Sequence, residues 1–285
     1  MLGVALDSVM EDYMDDNSGR FFNLNGNVEP ISRLDDIRIP EKNVVYEVIR
    51  VISGVPLFFE KHFTRMQNSM NSTSTDLIID ENELRERIEN LILATENKNC
   101  NVKVIAYNIE GKENILIYES KSNYPGVEEI SKGVPVGLMH FERRNPNAKI
   151  VNNAYKVEAA DRIASGGVFE VLLVNGSNQV TEGSKSNVFF ISGNKVFTSP
   201  GSFVLKGITR EYVFEACRRL KIEVIEKLLQ LDELDKLDGL FISGTSIKVL
   251  PVCSVESYKF KSATNPLIVS IRDCFDSIIY EYIKK

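Results

Sequence analysis

The sequence predicts an α+β protein with two domains. Segments with the two-residue period of strands and segments with the helical period follow each other without a strict βαβ repeat. A stretch that contains Pro, Gly and Ser at 122–135 interrupts both periods, and we interpret it as the interdomain linker. We therefore predict an N-terminal extension at 1–19, a small domain at 20–125 and a larger C-terminal domain at 126–285.

The first half is predicted to contain a strand, two helices and a hairpin. Residues 44–54 (VVYEVIRVISG) alternate and are rich in β-branched side chains, which is typical of a strand that ends in a Ser-Gly turn. Apolar residues at helical spacing predict helices at 58–70 and 81–95. NVKVIAYNIEG and ENILIYES form a hairpin with residues 110–112 at its turn. Residues 1–19 are predicted to be frayed or weakly helical.

The second half is predicted to mix strands with longer helices. Helices are expected over YKVEAADRIASGG, after Gly207 and over 265–285, each with apolar residues at helical spacing or a glycine at one end. The predicted strands are VPVGLMHF, VFEVLLVNG, two within VTEGSKSNVFFISGNKVFTS, IEVIEKLL (followed by a short helix) and a pair within GLFISGTSIKVLPV. The larger domain should therefore hold a sheet of several strands covered by helices.

The charge and composition of the chain exclude several functional classes. The net charge is −6, whereas general binding to a nucleic-acid backbone requires an excess of positive charge. No apolar run approaches the length that spans a membrane, and the N-terminus does not read as a signal peptide. Four widely spaced cysteines and two histidines make a zinc site or any other metal site unexpected. Free thiols in a reducing cytoplasm are the better interpretation.

Three short polar segments in the second half favour an anion-binding site. TEGSKSN (181–187) carries Glu182 beside a glycine, GITRE (207–211) is a glycine-led helix start, and SGTS (243–246) is a turn with small hydroxyl residues. Amides at a helix N-terminus and hydroxyls on a glycine turn bind phosphate. Together with Lys149, this set suits a phosphorylated cofactor whose aldehyde bonds a lysine and whose protonated ring nitrogen pairs with a carboxylate.

The order of these motifs resembles the class IV pyridoxal-phosphate aminotransferases. This family has the two-domain fold type IV and contains branched-chain aminotransferases, D-amino-acid aminotransferases and aminodeoxychorismate lyases. The resemblance continues into the first half at 46–69 and covers nearly the whole chain after residue 20. The motifs that carry it are KIVN (149–152), FEVLL (169–173), TEGSKSNVF (181–189), LKGITR (205–210) and SGTSIKVLPV (243–252).

The resemblance implies a pyridoxal 5′-phosphate (PLP) site with defined roles. Lys149 would form the Schiff base and move the α-proton of the substrate. Glu182 would pair with the pyridine nitrogen, and Tyr46 would lie on the substrate side of the small domain. The residues implied at the phosphate are the Arg65 guanidinium, the Ile208 and Thr209 amides and the Thr245 hydroxyl. The partners would be an amino acid and a 2-oxo acid (2-oxoglutarate or pyruvate), within a cytoplasmic homodimer.

The sequence departs from the family on the substrate side, so the substrate and its stereochemistry stay open. The segment before the first strand (IPEKNVVYE) has no glycine, and the Arg-x-His pair of the D-amino-acid enzymes is missing from AYNIEGKENILIYESK. The tyrosine that branched-chain enzymes place soon after the lysine is displaced to Tyr155. Two alternatives to a transaminase remain, namely a 4-amino-4-deoxychorismate lyase and a PLP-binding homologue with low activity.

Each candidate residue also has an ordinary structural interpretation. Lys149 could be a solvated surface lysine, and Lys156 is its nearest rival for the chemical role. The other ordinary interpretations are a strand-end carboxylate for Glu182, an ion pair on its own helix for Arg65, simple packing for Tyr46, and a surface or capping role for His62.

Overall fold

The structure is a computed structural model that describes residues 16–40, 43–73, 79–143, 149 and 153–285, with only the backbone for 153, 154 and 156. The chain divides into two compact units. The first unit holds the described residues up to Ser122 together with Lys149, and the second unit holds the others. The division at 20–125 and 126–285 stays a prediction, but Lys149 groups with the first unit instead of the C-terminal one.

The described residues of the first unit form a six-stranded antiparallel sheet in the order β2-β1-β6-β5-β3-β4. Helices and a 3-10 turn pack on it. The strands are β1 (Asn17–Leu24), β2 (Asn27–Pro30), β3 (Val45–Ile52), β4 (Val55–Pro56), β5 (Asn101–Ile109) and β6 (Lys112–Ser120). The helical segments are the 3-10 helix Ile31–Asp36, α1 (Phe59–Ser72) and α2 (Glu81–Thr95).

The alternation of β3 explains how this sheet is buried on both faces. Val45 and Ile49 join the core with α1 and α2, whereas Tyr46 packs with a second cluster that contains Phe22 and Tyr118. Successive side chains of a strand point to opposite faces. Glu47 therefore faces α1, and Tyr46 faces the other side of the sheet.

Two expectations for the first unit are wrong. Residues 17–19 are not an extension, because β1 begins at Asn17 and pairs with β6; the rest of the predicted extension, 1–15, lies outside the described residues. Lys112 is not a turn residue but the first residue of β6. The turn consists of Glu110 and Gly111, which both have positive φ, as the tight hairpin turns require.

The second unit contains a larger mixed sheet in the order β12-β11-β10-β14-β15-β7-β8-β9-β13, with β16 paired to β15. Its parallel pairs are β11–β12, β15–β7 and β7–β8. The strands are β7 (Val134–His140), β8 (Glu170–Val174), β9 (Gln179–Gly183), β10 (Asn187–Ser192), β11 (Lys195–Thr198), β12 (Glu223–Glu226), β13 (Leu229–Gln230), β14 (Gly239–Gly244), β15 (Lys248–Val255) and β16 (Tyr258–Lys259). The helices are α3 (Val127–Lys132), α4 (Asn153–Gly166), α5 (Ile208–Arg219) and α6 (Pro266–Ile283), with 3-10 helices at Leu231–Lys236 and Ser262–Thr264.

Most predicted elements of the second unit are confirmed, and two details are corrected. The predicted linker 122–135 contains α3 and the start of β7, because the Glu129 carboxylate caps α3 by accepting a hydrogen bond from the Gly126 amide. The segment that begins at Val180 contains three strands rather than two, so Glu182 lies inside β9. Among the described residues, no helix combines the length and the apolar composition needed to cross a lipid bilayer.

Candidate active site

Lys149 is held by its main chain in the first unit. Its carbonyl accepts a hydrogen bond from the Tyr46 amide at 3.2 Å, and its amide donates to the Ser69 hydroxyl at 3.4 Å. The Ser69 hydroxyl in turn donates to the Arg65 carbonyl at 2.9 Å. The Lys149 ammonium lies 4.7 Å from the centre of the Tyr46 ring, within the range of a cation–π contact. The structure thus brings together two predicted site residues, Lys149 and Tyr46, and links them to Arg65.

Arg65 forms an ionic cluster with the buried residues Glu47 and His62. Its Nε and Nη2 donate to the two oxygens of Glu47 at 2.7 and 2.6 Å, and His62 Nδ1 lies 2.7 Å from Glu47 Oε2. Arg65 thus pairs with an acid of β3, outside its own helix. The expectation of a surface or capping role for His62 is wrong, because His62 is 3% exposed. The role of Arg65 at a phosphate stays a prediction.

The electrostatics of this cluster fix its charge state. Burial alone would raise the pKa of Glu47, but the charge and hydrogen bonds of Arg65, with those of His62, outweigh it and lower this pKa to about 2. Burial lowers the pKa of His62, and the positive charges of Arg65 and Lys149 act in the same direction. An ionised Glu47 therefore orients the Arg65 guanidinium through two parallel bonds.

Lys103 is a second cation beside Tyr46, and the sequence analysis missed it. Its ammonium lies 5.6 Å from the centre of the Tyr46 ring and 5.7 Å from that of Tyr118, and it pairs with Asp16. Lys103 is 8% exposed, which is unusual for lysine. Two ammonium groups, those of Lys103 and Lys149, therefore lie within 5.6 Å of one aromatic ring centre.

Glu182 is a buried carboxylate in the second unit, held by donors on both oxygens. Arg143 Nη1 donates to Oε1 at 2.9 Å, and Oε2 accepts from Asn187 Nδ2 at 3.3 Å and from the Leu205 amide at 3.0 Å. The side chain is 3% exposed. It is therefore not an ordinary strand-end carboxylate, because several donors fix the plane of its carboxyl group.

The predicted phosphate residues of the second unit lie at a helix N-terminus and in a turn. Helix α5 begins at Ile208 after Gly207, which provides no side-chain cap, and Thr209 follows. Thr245 lies in the turn after β14. The Ser243 hydroxyl, at the end of β14, is 1% exposed and has no hydrogen-bond partner among the described residues. Open helix amides and small hydroxyls are the groups that bind a phosphate.

Glu170 holds the loop that follows Glu182. Its two oxygens accept hydrogen bonds from the Ser184 hydroxyl at 2.6 Å, the Ser186 hydroxyl at 3.1 Å and the Lys185 amide at 3.1 Å. The Tyr155 hydroxyl also donates to this loop, at the Ser184 carbonyl. Burial raises the pKa of Tyr155, which therefore stays protonated. The segments FEVLL (169–173) and TEGSKSNVF (181–189) are thus parts of one hydrogen-bonded arrangement.

The comparisons with known proteins identify the family. A family model described as "Amino-transferase class IV" matches residues 44–255, which is most of the chain. The chain belongs to the class IV aminotransferases. Among curated proteins, this class IV aminotransferase is 26% identical to "D-alanine aminotransferase" of Bacillus licheniformis over 253 residues, 84% of this chain and 89% of that protein. It is 28% identical to "Probable branched-chain-amino-acid aminotransferase" of Thermotoga maritima over 254 residues, 86% and 90% of the two chains.

The solved structures confirm the predicted α+β architecture of fold type IV. The fold of this class IV aminotransferase matches the branched-chain amino acid aminotransferase of Thermobaculum terrenum in its PLP form, with a TM-score of 0.79. The match covers 94% of this chain and 95% of that chain at 22% identity, so the likeness concerns the fold.

Class IV aminotransferases are PLP-dependent enzymes, which confirms the predicted cofactor. The described residues fit this coenzyme because they include an amine with a fixed main chain, a buried carboxylate and an uncapped helix N-terminus. Gly207 also fits, since a methyl group there would lie 2.3 Å from Asn187 Oδ1 and would disturb the start of α5. The fit rests on the chemistry of Lys149, Glu182 and the α5 amides, each within its own unit.

Proposed function

We propose that this enzyme transfers an amino group between an amino acid and a 2-oxo acid, with Lys149 as the reacting amine. The observation that carries the proposal is the double anchoring of Lys149, through its carbonyl to Tyr46 and through its amide to Ser69. The fixed main chain sets the point from which the Lys149 side chain starts, and its ammonium lies 4.7 Å from the centre of the Tyr46 ring. Together these contacts restrict where the amine can lie.

The protein groups around the coenzyme have separate tasks in this proposal. When bound, PLP supplies an aldehyde that bonds an amine and a pyridinium ring that accepts the electrons released at the substrate α-carbon. Lys149 would hold the aldehyde and, as a free amine, would take the α-proton of the substrate and return it. Tyr46 bounds the space around that amine with the face of its ring.

Glu182 keeps the pyridine nitrogen protonated. Its bonds from Arg143, Asn187 and the Leu205 amide hold the carboxyl plane. These donors restrict the orientation of the carboxyl group. At the phosphate we propose the Ile208 and Thr209 amides and the Thr245 hydroxyl, together with the Arg65 guanidinium that Glu47 orients.

We extend the proposal to the amino donor, the cell compartment and the assembly. The similarity to proteins named as D-alanine and branched-chain aminotransferases supports a small neutral amino acid as donor, with 2-oxoglutarate or pyruvate as acceptor. The four cysteines are free thiols, which supports the cytoplasm. The homodimer rests on the resemblance to the family, and light scattering after gel filtration tests it.

A borohydride experiment tests the assignment of Lys149. We expect wild-type protein to take up PLP, to lose its colour on reduction, and to carry the reduced adduct on the peptide that contains Lys149. Lys149→Ala should take up no reducible PLP and lose turnover by several orders of magnitude, whereas Lys156→Ala should behave as wild type. A reducible adduct in Lys149→Ala, or wild-type protein that binds no PLP, would contradict the proposal.

A substrate panel tests the reaction. D-alanine, L-leucine and L-glutamate are each offered with 2-oxoglutarate or pyruvate, and the new amino acid is measured. Amino transfer from at least one donor is the expected result. Release of pyruvate from 4-amino-4-deoxychorismate without an acceptor, in the absence of any transfer, would identify the lyase instead.

A further inference from the structure

Asn187 connects the carboxylate of Glu182 with the start of helix α5. Its Nδ2 donates to Glu182 Oε2 at 3.3 Å and to the Leu205 carbonyl at 3.0 Å. The Leu205 amide donates a hydrogen bond to the same Glu182 oxygen at 3.0 Å. The Leu205 carbonyl also accepts a bond from the Gly207 amide at 2.8 Å. One side chain therefore joins the carboxylate to the peptide groups that lead into the helix.

The oxygen of the same amide lies close to the N-cap of the helix. A Cβ atom added to Gly207 would lie 2.3 Å from Asn187 Oδ1. Gly207 stands at the N-cap position of α5, and the first amides of that helix follow directly. Asn187 thus packs close to the N-cap residue of α5 and is hydrogen-bonded to Glu182.

The chemistry of an amide explains why asparagine suits this position. An NH2 group has two donors, and Asn187 uses them for a carboxylate and a carbonyl, both of which are acceptors. A carboxylate in its place would repel Glu182. Asn187 is 6% exposed and starts β10 opposite Ser243 of β14, so it stands on a paired strand.

We propose that Asn187 is a positioning residue that holds two anchor points of the coenzyme, Glu182 for the ring nitrogen and the α5 amides for the phosphate, in a fixed relation. This inference rests on the proposed function. It predicts that the loss of one side chain weakens the binding of both ends of PLP. A residue that only stabilised the fold would not change the selectivity for the phosphate.

The test compares PLP with pyridoxal, which lacks the phosphate, by absorbance titration of the coenzyme-free protein. Glu182→Gln keeps an amide oxygen that can accept the bonds from Asn187 and the Leu205 amide, but it removes the charge opposite the ring nitrogen. It should therefore weaken both ligands by the same factor. Asn187→Ala loses a hydrogen bond to a charged group, so pyridoxal should bind about tenfold more weakly. PLP should lose a further factor of about ten from the displaced helix amides, so that its preference over pyridoxal falls about tenfold.

Two further variants keep the result interpretable. Gly207→Ala pushes on Asn187 Oδ1 from the helix side and should reduce the preference for PLP in the same direction. Asn175→Ala is the matched control, since Asn175 is an equally buried asparagine of the second unit whose side chain, among the described residues, bonds its own turn. It should lower the thermal stability and leave the preference for PLP unchanged.

The outcomes separate this inference from the proposed function. If wild-type protein binds PLP and both Asn187→Ala and Gly207→Ala keep the wild-type preference within about twofold, the inference is overturned while the function stands. It is also overturned if Asn175→Ala changes that preference as much as Asn187→Ala does. If wild-type protein forms no reducible adduct with PLP, the proposed function fails first and the inference fails with it.

Discussion

At the scale of single residues, Lys103 bears on the recognition of the substrate. A buried ammonium is costly unless a negative group compensates it, and Lys103 lies beside Tyr46 and pairs with Asp16. Substrates of an aminotransferase carry a carboxylate. We expect Lys103→Met to raise KM for the amino acid about tenfold or more, because a charge-assisted hydrogen bond is lost. PLP uptake by Lys103→Met should stay unchanged. The exposed control Lys112→Met should leave KM unchanged. An unchanged KM in Lys103→Met would exclude a role of Lys103 in substrate binding.

Also at this scale, Glu47 makes the stability of the enzyme sensitive to acid. Its pKa is lowered from the ordinary 4.5 to about 2, so its contribution is complete above pH 4.5 and is lost as the pH falls towards 2. His62 acts in the same direction, because a lowered histidine pKa costs stability as the pH falls below 6.5. We expect the free energy of unfolding to drop by on the order of 3 kcal/mol between pH 4.5 and 2 from Glu47 alone.

Urea unfolding as a function of pH measures this effect. Glu47→Gln should be less stable than wild type at neutral pH, because Arg65 and His62 lose their buried partner. It should also show a flatter decline between pH 4.5 and 2. Equal pH slopes in the two proteins would show that another group controls the acid response.

The site residues differ in how far the sequence could predict them. Lys149 and Glu182 lie in motifs of the family, and their roles stay predictions. Glu47 could not be predicted, because His62 and Arg65 lie 15 and 18 residues away and meet it only in the folded chain. Asn187 is five residues from Glu182, but its second partner, Leu205, is 18 residues away, so its bridging role could not be predicted either. Burial of a polar residue becomes visible only when the sheet that buries it is known.

At the scale of secondary structure, local signals were predictable and distant pairings were not. Helix α2 matches its predicted limits and α6 agrees with its limits to within two residues, because the capping residues Asp80 and Asn265 are next to them in sequence. Strand β1 was missed because its partner β6 lies far along the chain, with Phe22 opposite Tyr118. Helix α3 was missed because its proline- and glycine-containing surroundings are also typical of a linker.

The connection between β9 and β10 allows a prediction at this scale. The Gly183 amide bonds the Ser186 carbonyl at 2.7 Å, and a methyl group at Gly183 would lie 2.0 Å from the Ser186 hydroxyl. We expect Gly183→Ala to lower the free energy of unfolding by about 1–3 kcal/mol, as is usual for overpacking. Gly176→Ala, where the nearest atom is 4.0 Å away, is the control and should be nearly neutral in the same urea titration. Equal effects of the two substitutions would contradict the close approach.

At the scale of the whole molecule, the two units contribute different groups to the proposed chemistry. The first unit carries Lys149, and the second carries Glu182 and the N-terminus of α5. The sequence predicted two domains but assigned Lys149 to the C-terminal one. Lys149 groups with the first unit because its main chain is hydrogen-bonded to Tyr46 and Ser69, and no periodicity in the sequence reveals these bonds.

The coenzyme should therefore stabilise the folded molecule, and the covalent part of this effect should depend on Lys149. A ligand that binds only the folded state adds about 2.7 kcal/mol at a concentration of about 100 times its dissociation constant. For a chain of this size, about 1 kcal/mol raises the unfolding temperature by about 2–4 °C. Pyridoxine 5′-phosphate has no aldehyde and serves as the comparison. At equal concentration, we expect PLP to raise the unfolding temperature, measured by calorimetry, more than pyridoxine 5′-phosphate does. In Lys149→Ala the two ligands should have equal effects, because both then bind without a covalent bond; a difference that persists in this variant would place the reacting amine elsewhere.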